Sequence, residues 1–163
     1  MEYNPAIGSR LVQSPSINST AVAPITVLVV EDDELVRELA VEFLSDAGFQ
    51  VLEAGNGEEA LSLLESNPNI RVLFTDINMP GPLDGITLAS MAAVQWSHLA
   101  IIIGSGNVLP RSGALPSGIT FIRKPCDPES VIQLIREIID GCRGAQEGRK
   151  VTVRVNLRNR GTC

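Results

Sequence analysis

Four consecutive acids, Glu31-Asp32-Asp33-Glu34, follow directly on six mostly β-branched apolar residues, Ile25 to Val30. Adjacent carboxylates repel one another, so such a run needs a physical reason. A further acid, Asp76, closes a second apolar run at Thr75-Asp76. Ser105 stands between Gly104 and Gly106 after a third run, and Lys124 follows a fourth in Arg123-Lys124-Pro125. Carboxylates brought together raise each other's pKa unless a cation neutralises them. Oxygen ligands without His or Cys suit a hard ion, Mg²⁺ rather than Zn²⁺. Lys124 adds a point charge and Ser105 a hydroxyl, which makes an anion site with no general base poised near neutral pH. The single histidine, His98, precedes the run that ends at Ser105 and so lies at its opposite end. The chemistry that suits this set is phosphoryl transfer onto a carboxylate, with Asp76 attacking in line while lysine and metal hold the equatorial oxygens.

For these residues to meet, the elements that carry them must end on one edge. Short continuous apolar runs occur at Ile25–Val30, Gln50–Ala54, Arg71–Thr75, Leu99–Ile103 and Ile119–Ile122. Continuous rather than alternating, they read as strands buried on both faces. Amphipathic helices separate them. In the first, Leu35, Leu39 and Phe43 recur at i+4, as do Val36, Ala40 and Leu44, with Gly48 just past the end. The second runs from Gly57 to about Ser66, the third from Asp84 to about Gln95, and the last starts with Asp127 as N-cap and Pro128 at N1. Between Asn107 and Gly118 two prolines and two glycines leave the fourth helix short or broken. Five strands alternating with helices predict an α/β, doubly wound, five-stranded parallel sheet of the flavodoxin-like kind, order 2-1-3-4-5, with helices on both faces. That order makes the first and third strands neighbours, so Asp32 and Asp76 converge at the carboxyl edge.

The bulk numbers bound the rest. The chain has 163 residues, 44% apolar and 4% aromatic, with a net charge of −6 that argues against nucleic acid as the main partner. The charge is uneven: residues 25–141 hold 17 acids against 6 bases, and residues 142–163 hold 1 acid against 6 bases. Residues 1–24 read as a flexible leader, 25–141 as the folded domain and 142–163 as a basic tail. Within the tail, Val151, Val153, Val155 and Leu157 alternate with Thr152, Arg154, Asn156 and Arg158. Two readings stand: a disordered tail, or a segment that pairs with a sheet edge or an acidic partner. It is too short for a DNA-binding domain. Cys126, Cys142 and Cys163 match no metal spacing and read as reduced thiols. No apolar run approaches the length of a membrane span and no signal peptide is evident, so a cytoplasmic location is expected.

Taken together, "VLVVEDDELVR", "LFTDINMPGPLDG" and "FIRKP" closely resemble response-regulator receiver domains of two-component signalling, over roughly residues 25–141. The turn "MPGPLDG" and the stretch "QWSHLAIIIGSGN" look most like single-domain receivers of proteobacteria. The resemblance implies that Asp76 is a phosphoacceptor, becoming 4-aspartylphosphate at the expense of a phosphohistidine on a histidine kinase or histidine phosphotransfer protein. It implies Mg²⁺ bound by Asp32, Asp76 and the backbone carbonyl of Asn78, with Glu31 acting mostly through water. Lys124 pairs with the phosphoryl oxygens, Ser105 and Phe121 form the switch, Pro125 follows a cis bond, and Asn78 and Asn107 tune phosphoryl lifetime. A receiver of this kind is a phosphoprotein that promotes its own phosphorylation and dephosphorylation rather than an enzyme. Its output is a phosphorylation-dependent change in binding to a downstream protein.

Two departures keep alternatives open. The end of the fourth strand reads Gly104-Ser105-Gly106; Ser105 aligns with the switch hydroxyl, whereas a hydroxyl one residue earlier would be missing. The broken fourth helix raises a second reading, a receiver-fold interaction module whose output ignores phosphorylation. A phosphatase of the haloacid-dehalogenase type would need an acid at position 78, which is Asn. Asp33, Glu34, Asp46, Glu58, Glu59 and Asp84 read as helix starts, caps or solvated faces, Trp96 as core edge, and Cys126 as a small residue at a buried edge.

Overall fold

The computed structural model describes residues 23–106 and 118–144. Five strands run β1 Thr26–Val30, β2 Gln50–Ala54, β3 Ile70–Asp76, β4 Ala100–Ser105 and β5 Ile119–Arg123. Among the described residues four helices accompany them: α1 Glu34–Asp46, α2 Gly57–Ser66, α3 Gly85–Gln95 and α4 Pro128–Gly144. All pairings are parallel and the order is β2-β1-β3-β4-β5, as the sequence predicts. The stretch read as a broken helix lies outside the described residues except for Gly118, as do residues 1–22 of the leader and 145–163 of the tail. The last helix continues to Gly144, so the first residues of the basic stretch are helical.

Strand alternation divides the core in two. Leu28, Val30, Leu73, Ile101 and Ile103 face one side with α2 and α3, while Val27, Val29, Val72, Phe74 and Ile102 face the other with α1 and α4. That is why β1 is apolar from Val27 to Val30: all five of its residues, Thr26 included, are buried. The edge strand β2, by contrast, buries only Ala54 fully. Complete burial of a Leu28 side chain contributes about 2 kcal/mol.

Helix ends follow local chemistry. The Asp33 carboxylate accepts from the Leu35 and Val36 N–H groups, Asn56 from Glu59, Asp84 from Thr87, and Asp127 from Ser130. These caps confirm Asp33 and Asp84 as helix starts. At the far end of α1 the chain turns through Gly48, whose φ of 90° an L side chain rarely adopts. The two apolar rows of α1 separate in the structure. Ala40 and Leu44 are buried, but Leu35 is 71% and Leu39 62% exposed, and Val36 is exposed as well.

Candidate functional site

The carboxyl ends of β1, β3, β4 and β5 converge, as the strand order requires. Glu31 leaves β1 buried, while Asp32 next to it is exposed. The ligand oxygens of Glu31, Asp32 and Asp76 lie within 4.8 Å of one another. Lys124, directly after β5 and followed by a cis Lys124–Pro125 peptide, closes the group. Its Nζ stands 2.6 Å from Glu31 Oε2 and 2.8 Å from Asp76 Oδ1. The other Asp76 oxygen, Oδ2, accepts from the Asn78 backbone N–H at 2.9 Å. Both carboxylate oxygens of Asp76 are therefore engaged by donors, which orients the group.

Burial alone would lower the Lys124 pKa. Hydrogen bonds that Lys124 donates to Asp76 and Glu31, together with their charges, outweigh it, so the net shift is upward from 10.5 and the ammonium stays charged. Three carboxylates against one ammonium leave negative charge uncompensated at the cluster. An all-oxygen set with surplus negative charge fits a hard divalent cation such as Mg²⁺.

The backbone around Asp76 is set by close approach. Asp76 pairs in register with Gly104, whose carbonyl accepts from the Ile77 N–H at 3.2 Å. A Cβ on Gly85 would fall 1.8 Å from the Asp76 carbonyl oxygen, so only glycine lets α3 start there. A Cβ on Gly104 would lie 2.9 Å from Lys124 Cε. Gly104 thus makes room for the lysine stem that crosses it, a reason for this glycine that the sequence reading lacked. Ser105 is buried one residue further on, and its carbonyl accepts from the Lys124 N–H at 2.8 Å. Phe121 is buried in β5 opposite Ile103. Asn78 is exposed after β3, and Asn107 lies outside the described residues.

Sequence reasoning also passed over Arg37. Its Nη1 donates to the Glu31 carbonyl at 2.9 Å and its Nε pairs with Glu53 at 3.3 Å, tying α1 and β2 to the turn that carries Glu31 and Asp32. Its signal was available: Arg37 is the only base between Glu31 and Asp46. Cys126, half-buried beside the site, has its thiol pKa pushed up by burial, with the Lys124 charge opposing. That agrees with the packing role read for it.

The sequence model of the response regulator receiver domain matches residues 27–136. Among curated proteins, the transcriptional regulatory protein AruR of Pseudomonas aeruginosa is 33% identical over 127 residues, covering 74% of this chain and 51% of AruR. The sensor protein TorS of Escherichia coli is 33% identical over 113 residues, 66% of this chain and 12% of TorS. The chain thus spans about half the length of AruR and a small part of TorS. Among solved structures, the receiver domain of the hybrid histidine kinase CckA superposes with a TM-score of 0.61 at 34% identity, covering 70% of this chain and 98% of that one. A CheY-like receiver domain protein from Methanospirillum hungatei reaches 0.69 at 24% identity, over 77% of this chain and all of that one, a likeness of fold. This chain belongs to the response regulator receiver domain family of two-component signalling.

Proposed function

We propose that the protein accepts a phosphoryl group on Asp76 from a phosphohistidine of a histidine kinase or phosphotransfer protein, and that the charged form binds a downstream protein differently. The observation that carries this reading is the placement of Asp76 Oδ1 2.8 Å from Lys124 Nζ within a cluster of three carboxylates. An Asp76 oxygen attacks phosphorus, the phosphorus–nitrogen bond of the donor breaks, and the imidazole leaves. Lys124 moves from pairing two carboxylates to pairing the incoming phosphoryl oxygens. Glu31, Asp32, Asp76 and the Asn78 carbonyl would hold Mg²⁺. When bound, the cation would offset the negative charge that gathers as the phosphoryl group meets the acids. The Ser105 hydroxyl, at the end of β4, and the Phe121 ring, in β5, would relay the change, and Asn78 and Asn107 would set how long the phosphoryl group lasts.

Incubation with acetyl phosphate and Mg²⁺ should label the protein through an acid-stable, alkali-labile acyl phosphate. Replacing Asp76→Asn should abolish the label; a label that persists assigns the acceptor elsewhere. Target capture that is the same for wild type and Asp76→Asn would instead support binding independent of phosphorylation.

A further inference from the structure

Two of the three clustered acids are held by their own side chains. Lys124 Nζ bonds Glu31 Oε2 and Asp76 Oδ1, and the Asn78 N–H bonds Asp76 Oδ2. Asp32 differs. It is exposed, and among the described residues no group donates to its carboxylate. Its place is therefore set by the backbone, in the short turn between Val30, the last residue of β1, and Glu34, the first of α1. That backbone is gripped on both sides of Glu31. The Glu31 N–H donates to the Ala54 carbonyl at 3.1 Å, and Arg37 Nη1 donates to the Glu31 carbonyl at 2.9 Å. The second bond is the one that bears on Asp32. A peptide unit is planar, so its oxygen and both flanking Cα atoms move as one body. Holding the Glu31 oxygen holds the Cα from which the Asp32 carboxylate branches.

We propose that Arg37 is a positioning residue for the cation: by pinning the Glu31–Asp32 peptide it aims Asp32 and so sets how tightly the acid cluster binds Mg²⁺. The proposal rests on Glu31, Asp32 and Asp76 forming a Mg²⁺ site, and it adds a residue outside that set. Arginine suits the task because its fork is planar and its donors are fixed relative to one another. While Nη1 holds the carbonyl, Nε pairs with Glu53 Oε2 at 3.3 Å. Glu53 lies in β2 opposite Val29 of β1, so the turn is braced against the sheet. The other end of the brace is the first turn of α1, where the Arg37 backbone N–H donates to the Asp33 carbonyl at 2.9 Å. The arginine side chain is only 18% exposed, which shields its bond to the carbonyl from competing water. Charge works the other way. A guanidinium near three carboxylates opposes a divalent cation, and Glu53 offsets only part of that repulsion. Removing Arg37 should tighten binding if its charge matters most, and loosen it if its hold on the peptide matters most. The two roles differ in sign. Partners that orient a metal ligand from outside carry about tenfold or more in affinity, whereas a partly exposed charge is screened by salt, so the hold should win.

The test uses the full chain and Mn²⁺, whose free and bound forms electron paramagnetic resonance tells apart, with Mg²⁺ as competitor. Arg37→Met keeps the stem and the helix propensity but loses the donors and the charge. It should raise the dissociation constants of Mn²⁺ and of competing Mg²⁺ by about tenfold. In the metal-free protein it should also move the Asp32 amide signal in nitrogen–proton spectra, because that N–H lies in the released peptide. In parallel, the Mg²⁺ concentration for half-maximal labelling by acetyl phosphate should rise by a similar factor. Unchanged or tighter Mn²⁺ binding overturns the proposal, even if the urea midpoint falls, since Arg37 would then serve the fold alone. So does weaker binding with an unmoved Asp32 amide, because the effect would not pass through that peptide. If the wild type itself takes up no Mn²⁺, the metal reading fails and the role of Arg37 falls with it. If Mn²⁺ binds but nothing takes label, only the phosphoacceptor reading fails, and the titration still decides Arg37.

Discussion

The two faces of the sheet start from similar strands and finish differently. On the α2–α3 side the helices meet the sheet through Ala60, Ala89 and Ala92, and Gly57 and Gly85 sit where any side chain would collide. Small contact residues bring these helices in close, and the backbone of Asp76 is held between β4 and the start of α3. On the α1–α4 side, α1 buries only Ala40 and Leu44 fully, packs Phe43 partly against the core, and leaves Val36 and Leu39 standing beside an open groove. One face therefore fixes the backbone of the reactive residue, and the other gives access to its carboxylate. Support and access are separated by the thickness of a sheet, so each can change without undoing the other.

The sharpest way to break this division is a pair of truncations read by urea denaturation. Leu28→Ala, on the sealed face, should lower the unfolding free energy by about 3 kcal/mol through lost burial and a residual cavity. Leu39→Ala, on the open face, should stay within about 0.5 kcal/mol. Equal costs would mean that α1 depends on its outer row after all.

A second substitution separates site geometry from stability. Gly104→Ala places a methyl group against the flexible stem of Lys124, so the fold can yield by moving that side chain. The midpoint of unfolding should hardly move, while phosphoryl uptake from acetyl phosphate should slow by up to about tenfold as the ammonium leaves its place beside Asp76. Unchanged uptake would show that the crossing of Gly104 by Lys124 is incidental.

The smallest effect concerns how α3 is started on the sealed face. Asp84→Ala should cost about 1 kcal/mol at neutral pH, measured by denaturation, because the Thr87 N–H loses its acceptor. Hydrogen bonding from the Thr87 backbone, then its side chain, holds the Asp84 carboxyl below its ordinary 3.8 despite a small opposing effect of burial. A carboxyl lowered in the folded state stabilises it above the unfolded pKa, and this is lost as the pH falls through the folded one. The gap between wild type and Asp84→Ala should therefore narrow as the pH drops below 3.8. A gap that widens on acidification would give the cap another role.

Much of this architecture could be read before any coordinates. Continuous β-branched runs, caps at Asp33, Asp84 and Asp127, and the glycine after α1 are local signals, and each element lies where its signal stands. The convergence of Asp32 and Asp76 was legible too, because a parallel sheet with right-handed crossovers leaves few orders to choose from. Gly104 was harder. Its neighbour in space is a lysine twenty residues away, and sequence offers only the missing side chain, which read as a defect. Arg37 was passed over because a base on an acidic helix face looks solvated until the Glu31 carbonyl is placed opposite it.

Alone, the order of residues determined which segments are strands and helices, where each helix starts, and which acids and lysine stand at strand ends. Those are matters of period, propensity and capping, settled within a few neighbouring residues. Tertiary structure decided which apolar row of α1 meets the sheet, what Gly104 makes room for, and how far the groove beside α1 runs toward Asp76. Each of these depends on the distance between elements remote in sequence, and that distance follows from how the side chains of the whole core fit together.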